Sequence, residues 1–539
     1  MKRFQLFFLI VLLAGLSFRL ISLASRPFGF TWDEAALGYN AYSLLQTGRD
    51  EHGQIAPIIF KSFGDYKPGL YIYFTVLPTA VFGLNEFSTR LPSAVFGTLM
   101  LAVIYVLVRR LFPKSAAVAV AALCVAAVNP WLLHFSRGAW EANLSLFLTV
   151  LGTTLFLRSR TAKSNWWTIA SACAFGLTLW TYQGGKMFTP LLILTLGLIY
   201  FKQLNFRRLL LPAVVFLCLL IPVLVGAAGQ SGRLKVFSVF SYQRSSDYVS
   251  QLLQQDGTGG KNWLYYLYHT EFFDQLRGVA QRYLNHLSPR FLFLEGDWTN
   301  LRHAEYKQGY LYLVDLVPLL IGLIYLLRSR SRSTKLILAW MFLAPLPAAF
   351  SRDLVSGVRS LPLVLPLVVL ISLGLAEIFK SRLGRVIYSL PALFLMVYFG
   401  EFYFLHAHFY AADQWVSAYR PAVQVVSAHL AEYPEVYFTD QLGQPYIFIL
   451  YYLRYDPALY QKQAVFEASA SGDVGRVTGF GNFHFQPIFW PQLRGKTQTM
   501  FIGGQYELPE KDLDFAGVNR LSDIIYPNGS LALRIVGLN

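Results

Sequence analysis

Two apolar stretches, separated by four residues, decide the architecture of this chain: residues 90–111 (RLPSAVFGTLMLAVIYVLVRRL) and residues 116–135 (AAVAVAALCVAAVNPWLLHF). Each is about as long as one crossing of a bilayer requires, roughly 20 residues. Arg109, Arg110 and Lys114 stand at the turn between them. The pattern predicts two membrane-spanning helices joined by a positively charged turn.

The rest of the chain continues this pattern. Of its 539 residues 55% are hydrophobic and 14% are charged, whereas a soluble globular protein has about 25% charged residues. A single soluble domain is therefore excluded. The sequence predicts an all-α polytopic membrane bundle with about 11 to 13 transmembrane helices. Besides the two stretches above, the predicted spans are 4–24, 140–158, 165–182, 187–202, 209–228, 310–327, 335–351, 361–379 and 386–404.

The positive charges indicate an orientation. The net charge is +16, and clusters of Lys and Arg occur at every second end of the predicted spans. This bias predicts a multi-pass protein of the cell (plasma) membrane with a cytoplasmic N-terminus. Membrane lipids are the expected partners of the charge excess; no nucleic acid is expected, because no basic soluble face is found. Residues 69–84 are apolar but short and contain Pro78, so they predict an interfacial or re-entrant helix.

Three outer regions remain. Loops 25–89 and 229–309 belong to the predicted transmembrane domain, residues 1–405. Residues 406–539 are predicted to form a small C-terminal α/β extracytoplasmic domain, with strands at 436–439 and 500–502 and a helix near 444–453. The three cysteines all lie in apolar stretches, which predicts neither a disulfide framework nor a CxxC metal site.

Candidate acids fall on the predicted outer face. Asp33 and Glu34 follow the first span, and Glu141 begins another. Carboxylates that lose hydration near a membrane acquire raised pKa values and can transfer protons. Two structural alternatives are open: Thr31 or Asp33 caps a helix, and Arg137 pairs with Glu141.

Candidate cations lie on the same predicted face. They are Lys67, Arg137, Arg302 with the neighbouring His303, and Arg359. Such groups bind phosphate, and a histidine can also move a proton. The alternatives are a snorkelling lysine, a solvated loop around residue 302 and an interfacial anchor at Arg359.

Acids and cations on one side of a bundle suit the transfer of a group from a lipid phosphate. The cations neutralise the departing phosphate, and a carboxylate takes the proton of the acceptor. No Walker A or GxGxxG motif indicates a nucleotide site.

The ordered set of motifs resembles the membrane GT-C glycosyltransferases, in particular the bacterial glycosyltransferase family 39/83 group. That group includes protein O-mannosyltransferases and the aminoarabinose transferase that acts on lipid A. The resemblance covers about residues 1–405. It rests on Trp32-Asp33-Glu34, Asp65-Tyr66-Lys67-Pro68, Phe87-Ser88-Thr89-Arg90-Leu91-Pro92, Ser136-Arg137-Gly138-Ala139-Trp140-Glu141 and Arg359-Ser360-Leu361-Pro362.

The resemblance implies a polyprenyl-phosphate sugar donor, inverting transfer and an active site between the outer loops and the bundle. It implies that Asp33 is the catalytic acid of the first loop, Glu34 its neighbour, and Glu141 a second acid. Lys67 matches a phosphate-contacting lysine, and Arg302-His303 is a weaker match. Some family members bind a divalent metal near the first loop. A site near Asp33 and Asp65 is left open, and the cofactor is otherwise unknown.

The predicted function is therefore an integral membrane glycosyltransferase at the outer face, with a lipid, glycan or protein acceptor. Two alternatives stay open. A lipid-linked sugar transporter or flippase would place charges in mid-span and use repeated, broken helices. An envelope polysaccharide ligase would depend more on arginines in outer loops than on an early Asp-Glu pair.

Overall fold

The structure is a computed structural model that describes residues 2–63, 65–227, 246–255, 257, 260–263, 265–467, 475–514 and 516–539. Its first four-fifths are helical, interrupted by one hairpin. The hairpin strands are β1 Ile59–Ser62 and β2 Asp65–Pro68. The helices are α1 Lys2–Leu20, α2 Trp32–Thr47, α3 Leu70–Phe82, α4 Glu86–Leu111, α5 Ala116–Val128, α6 Pro130–Phe135, α7 Glu141–Ser159, α8 Trp166–Thr178, α9 Gly185–Tyr200, α10 Phe206–Ala227, α11 Ser246–Gln255, α12 Glu271–Asn285, α13 Leu316–Arg328, α14 Arg332–Leu343, α15 Leu346–Ala349, α16 Val364–Ile378, α17 Arg382–Glu401 and α18 Ala407–Ala411.

Each of the eleven predicted spans overlaps one of these helices. Within the described residues, six helices are long and apolar enough to cross a membrane: Glu86–Leu111, Glu141–Ser159, Gly185–Gln203, Phe206–Gly226, Leu361–Ile378 and Arg382–Ala411. Three shorter apolar helices accompany them, among them α3 over the segment predicted to be interfacial or re-entrant. With 13 residues, α3 is shorter than the roughly 20 residues that one crossing needs. The predicted polytopic helical fold is confirmed.

Small residues bring neighbouring helices of the bundle into close contact. A Cβ on Gly322 of α13 would collide with the main-chain carbonyl of Leu370 on α16. A Cβ on Gly374 of α16 would collide in the same way with the carbonyl of Pro318 on α13. The two helices therefore pack backbone to backbone, as small residues permit in membrane bundles.

The C-terminal residues form a mixed sheet with helices. Its strands are β3 Glu435–Phe438, β4 Val465–Glu467, β5 Arg476–Phe480, β6 Phe483–Phe485, β7 Thr499–Gly503, β8 Val518–Ile525 and β9 Leu531–Leu538, in the order β4-β5-β6-β3-β7-β9-β8. Its helices are α19 Tyr419–His429, α20 Pro445–Tyr452, α21 Pro457–Gln463 and α22 Trp490–Leu493. Strand β3 pairs in parallel with β6 and β7, and the other pairs are antiparallel. The predicted strands and the helix near 444–453 are confirmed.

Helix α2 connects this sheet domain to the bundle. Its buried Ala35, Ala36 and Tyr39 share one hydrophobic cluster with residues of α20 and the sheet. The Tyr39 hydroxyl donates to the Tyr455 carbonyl at 3.0 Å. Helix α2, which carries the predicted catalytic pair in its first turn, is thus held between the helical bundle and the sheet domain.

Candidate active site

Helix α2 begins with a capping box that orients the predicted acidic pair. Thr31 is the N-cap: its hydroxyl accepts from the Glu34 amide at 3.2 Å, and Glu34 Oε2 accepts from the Thr31 amide at 3.2 Å. The capping alternative is therefore correct for Thr31 and not for Asp33. Because Thr31 caps the helix, the carboxylate of Asp33 is available for other contacts.

Asp33 pairs with Lys67, which the β1–β2 hairpin brings to it. Lys67 lies opposite Phe60 in this hairpin, and its ammonium donates to Asp33 Oδ1. The Lys67 side chain is 15% exposed and that of Asp33 36% exposed. This contact joins residues 34 positions apart and leaves part of the carboxylate accessible.

The charges around Asp33 control its protonation. Burial alone would raise the pKa of Asp33, but Lys67, followed by Arg302 and His303, brings that pKa below its usual value. The carboxylate is accordingly ionised at neutral pH. Lys67, Arg302 and His303 are among the residues predicted to contact substrate, so the structure places three of these predicted residues near the Asp33 carboxylate.

Glu34 faces the interior, although it is adjacent to Asp33. Its carboxylate accepts from Arg90 through Nε at 2.8 Å and Nη2 at 3.0 Å. It also accepts from the Ala139 amide at 2.9 Å. Arg90 is fully buried and donates further to the carbonyls of Leu23, Pro27 and Gly29. The Glu34–Arg90 pair therefore connects the segment before α2, helix α4 and the turn before α7.

Arg137 is likewise buried and bonded to main-chain oxygens. Its guanidinium donates to the carbonyls of Phe18 at 2.5 Å, Ile21 at 2.6 Å and Arg26 at 3.3 Å. It thereby satisfies carbonyls at the C-terminal end of α1, a position that favours cations. Among the described residues it forms no ion pair, so the alternative of an Arg137–Glu141 pair is not observed.

Arg302 and His303 lie on a loop held by buried hydrogen bonds. The Arg302 guanidinium is 4.9 Å from the centre of the Trp32 ring. His303 Nδ1 is 2.8 Å from Asp297 Oδ2, and Asp297 also accepts from the Gly357 amide at 2.9 Å. Burial lowers the pKa of His303 although Asp297 opposes this effect. Asp297 therefore connects the histidine to the loop that carries Arg359.

Arg359 stands beside a narrow, mainly apolar groove with a volume of about 10 Å³. The groove lies between the first turns of α7 and α9. Its apolar wall is formed by Ala142, Leu146 and Phe188. Arg359 Nη1 donates to Asp353, whose side chain is 48% exposed. An apolar groove with a cation beside it suits a ligand that has a hydrocarbon part and an anionic group.

The start of α7 supplies the remaining predicted acid and an unpredicted donor. Glu141 is the first residue of the helix and is partly exposed. The neighbouring Trp140 lies 5.5 Å from the His303 ring, centre to centre. Within the described residues Trp140 Nε1 is buried without a hydrogen-bond partner. Such a donor is uncommon, and it lies beside His303.

The described residues do not assemble a metal site. They contain no group of three His, Cys, Asp or Glu side chains suitable for a metal ion. Near the first loop, Lys67 contacts the Oδ1 atom of Asp33. The Asp65 side chain lies outside the described part of the chain. The divalent-metal site left open near Asp33 and Asp65 therefore stays a prediction.

Comparisons with known proteins concern the fold of the chain and one segment of its sequence. Residues 66–225 match the family model described as dolichyl-phosphate-mannose-protein mannosyltransferase. ArnT from Cupriavidus metallidurans in the apo state is 13% identical, with a TM-score of 0.58 over 99% of this chain and 98% of that chain. The same protein bound to undecaprenyl phosphate is 12% identical, with a TM-score of 0.55 and the same coverage.

The oligosaccharyltransferase of Archaeoglobus fulgidus, in complex with Zn and sulfate, is 13% identical, with a TM-score of 0.50 over 98% of this chain and 72% of that chain. No sequence relative is detected among curated proteins. These similarities are consistent with the class that the motifs predict, the membrane glycosyltransferases of the GT-C type. Within that class its segment 66–225 is similar to the protein mannosyltransferases, and its whole length is similar in fold to ArnT.

Proposed function

We propose that the protein transfers a sugar from a polyprenyl-phosphate donor to an acceptor at the outer face of the cytoplasmic membrane. The observation that carries this proposal is the Asp33–Lys67 ion pair at the start of α2, with the Arg302 guanidinium over the ring of the neighbouring Trp32. Support comes from Arg359 beside the apolar groove and from the undecaprenyl phosphate that the ArnT structure contains.

Lys67 and Arg359 are the proposed phosphate ligands. Lys67 is paired with Asp33 and Arg359 with Asp353, and a phosphate can replace either carboxylate as a partner. The apolar wall beside Arg359 is the proposed contact surface for the first part of the polyprenyl chain. Cations at this position stabilise the negative charge that develops on the departing phosphate.

Asp33 is the proposed proton acceptor. The acceptor's oxygen or nitrogen attacks the anomeric carbon, and the bond from that carbon to the phosphate oxygen breaks with its electron pair on phosphate. The acceptor's proton passes to the Asp33 carboxylate. When the donor phosphate engages Lys67, Asp33 loses part of its cationic stabilisation, so its pKa rises and it becomes a stronger base.

Glu141 is the proposed second acid, placed at the acceptor side next to Trp140. Glu34 and Arg137 are proposed as positioning residues, because their polar atoms are directed to buried partners. We further propose residues 1–405 as the transferase domain and 406–539 as the extracytoplasmic domain. The proposed boundary falls within the continuous helical segment Arg382–Ala411.

The test uses the full-length protein reconstituted with a panel of radiolabelled undecaprenyl-phosphate sugars. Asp33→Asn should lower transfer by about 10²–10⁴-fold, the usual contribution of a general base, while binding of undecaprenyl phosphate persists. Glu141→Gln should also lower transfer. The matched control is Asp274→Asn, an exposed outer-loop acid paired with Arg277, and it should keep full activity.

Full activity in both Asp33→Asn and Glu141→Gln would reject the proposed roles. Movement of an intact lipid-linked sugar across the bilayer, without cleavage of its phosphate bond, would instead support the transporter alternative.

A further inference from the structure

A second pocket lies at the opposite end of the bundle from the candidate site. Glu141 begins α7 at the site, and Ser159 ends it beside this pocket; 19 residues at about 1.5 Å per residue separate these ends by about 28 Å. The pocket has a volume of about 100 Å³ and is formed where α7 ends, α8 begins and α9 passes into α10. Its lining is polar and includes Arg160, Asn165, Thr168, Gln203 and Arg208.

Two arginines face this pocket without acidic neighbours. Arg160 donates only to neutral oxygens, the Ser159 hydroxyl at 2.8 Å and the Gln203 carbonyl at 3.3 Å. Among the described residues neither Arg160 nor Arg208 forms an ion pair. The sequence contains no Asp or Glu between Glu141 and Asp247. Burial and the charge of Arg208 both lower the pKa of Arg160. Each arginine therefore disfavours the charged form of the other. An anion between them would stabilise both charges.

The surroundings of the pocket belong to the surface of a membrane. Trp166 at the start of α8 is 64% exposed, and Phe206 at the start of α10 is 63% exposed. Tryptophan at a helix end is typical of the headgroup level. Beyond Phe206, α10 presents Leu210, Leu211 and Val214 outward. The pocket therefore opens next to a helix face that acyl chains can cover.

We infer that this pocket binds the phosphate group of an anionic phospholipid in the leaflet opposite the candidate active site. The phosphate would lie between Arg160 and Arg208, and the acyl chains along the exposed apolar face of α10. Basic pockets between transmembrane helices at the cytoplasmic side bind anionic headgroups in this way. A free phosphate has the same chemistry, but it does not use the apolar face of α10.

The experiment measures lipid retention by native mass spectrometry of the full-length protein, titrated with phosphatidylglycerol or phosphatidylcholine. The wild type should retain phosphatidylglycerol preferentially. The double variant Arg160→Gln/Arg208→Gln should lose about tenfold or more of this retention, as expected from two cations close to a lipid phosphate. The charge-preserving Arg160→Lys/Arg208→Lys should keep most of it, which separates lost charge from misfolding.

The matched control is Arg328→Gln/Arg330→Gln, which removes two exposed arginines from another turn at the same end. That turn lies at this end because Arg332 approaches the ring of Tyr200, the last residue of α9. The control should retain phosphatidylglycerol within twofold of the wild type. An equal loss in the control would overturn the proposal in favour of general surface charge. Displacement of the lipid by millimolar inorganic phosphate would overturn it in favour of a free-anion site.

Discussion

The two ends of the helical bundle use arginine in opposite ways. At the candidate site, Arg90 and Arg137 are fully buried and donate to carboxylate or carbonyl oxygens from distant stretches. At the far end, Arg328 and Arg330 are exposed on a short turn. The first kind of arginine holds loops together through buried hydrogen bonds, whereas the second kind follows the distribution of positive charge that predicts orientation in a membrane. The role of an arginine in this protein therefore depends on whether its surroundings are buried or exposed.

The largest difference between the two ends should appear in stability. Arg90→Met leaves the Glu34 carboxylate buried without its main partner, and breaking one partner of such a pair costs about 3–5 kcal/mol. The free energy of unfolding, measured with denaturant in detergent, should fall by that amount. Arg328→Met at the far end should change it by less than about 0.5 kcal/mol. Equal effects of the two substitutions would contradict the comparison.

The next effect concerns pH. Lys67 holds the pKa of Asp33 below its usual value, so the ionised base persists as the pH falls until it reaches this lowered pKa. In Lys67→Met the pKa of Asp33 should rise, and the acidic limb of the transfer rate should move to higher pH. The control is Lys61→Met on the neighbouring strand, which should leave the acidic limb in place. An unshifted profile in Lys67→Met would remove Asp33 from its role as base.

A smaller effect is expected from the unpartnered donor at the site. Trp140→Phe removes an indole N–H that has no acceptor among the described residues. Transfer should fall about 2- to 10-fold, the value of one hydrogen bond of about 0.5–1.5 kcal/mol, with little change in stability. Trp340→Phe removes a donor already bonded to the Pro362 carbonyl at 2.9 Å, so it should lower stability instead. Unchanged transfer in Trp140→Phe would show that its N–H contacts no substrate.

The smallest effect is expected when the two ends are tested for independence. Arg160→Gln/Arg208→Gln lies about 28 Å from Glu141 along α7. Sites at such distances without shared contacts usually act additively. In bilayers of phosphatidylcholine alone, transfer by this variant should therefore equal that of the wild type within about twofold, measured with the same radiolabelled donors. A large loss in these bilayers would show coupling between the two ends.

Features of this chain that depend on local sequence were predictable, and several that depend on distant contacts were not. The helices over the predicted spans were predictable because apolar length and flanking charge are local properties. The grouping of Asp33, Lys67, Arg302 and His303 was predictable as well, because all four lie at one end of the spans. The phosphate and acid roles of these residues stay predictions until the variants above are measured.

The sequence could not show that the adjacent residues Asp33 and Glu34 have different partners. Nothing local distinguishes Asp33 from Glu34, but Glu34 is directed to Arg90, which is 56 positions away. Arg137 similarly bonds to carbonyls more than 110 positions away. The signal that could have indicated both is the presence of a lone arginine within or beside an apolar stretch, since such a charge requires buried partners.

The sequence by itself determined that this chain is a polytopic helical membrane protein with acids and cations at one end, because a bilayer imposes its length and charge rules on each segment separately. Only the tertiary structure decided which carboxylate is accessible, which arginines are structural and where the sheet domain packs against α2. Those outcomes depend on hydrogen bonds and packing between segments far apart in the chain, and no single segment contains the partners that satisfy its buried charges.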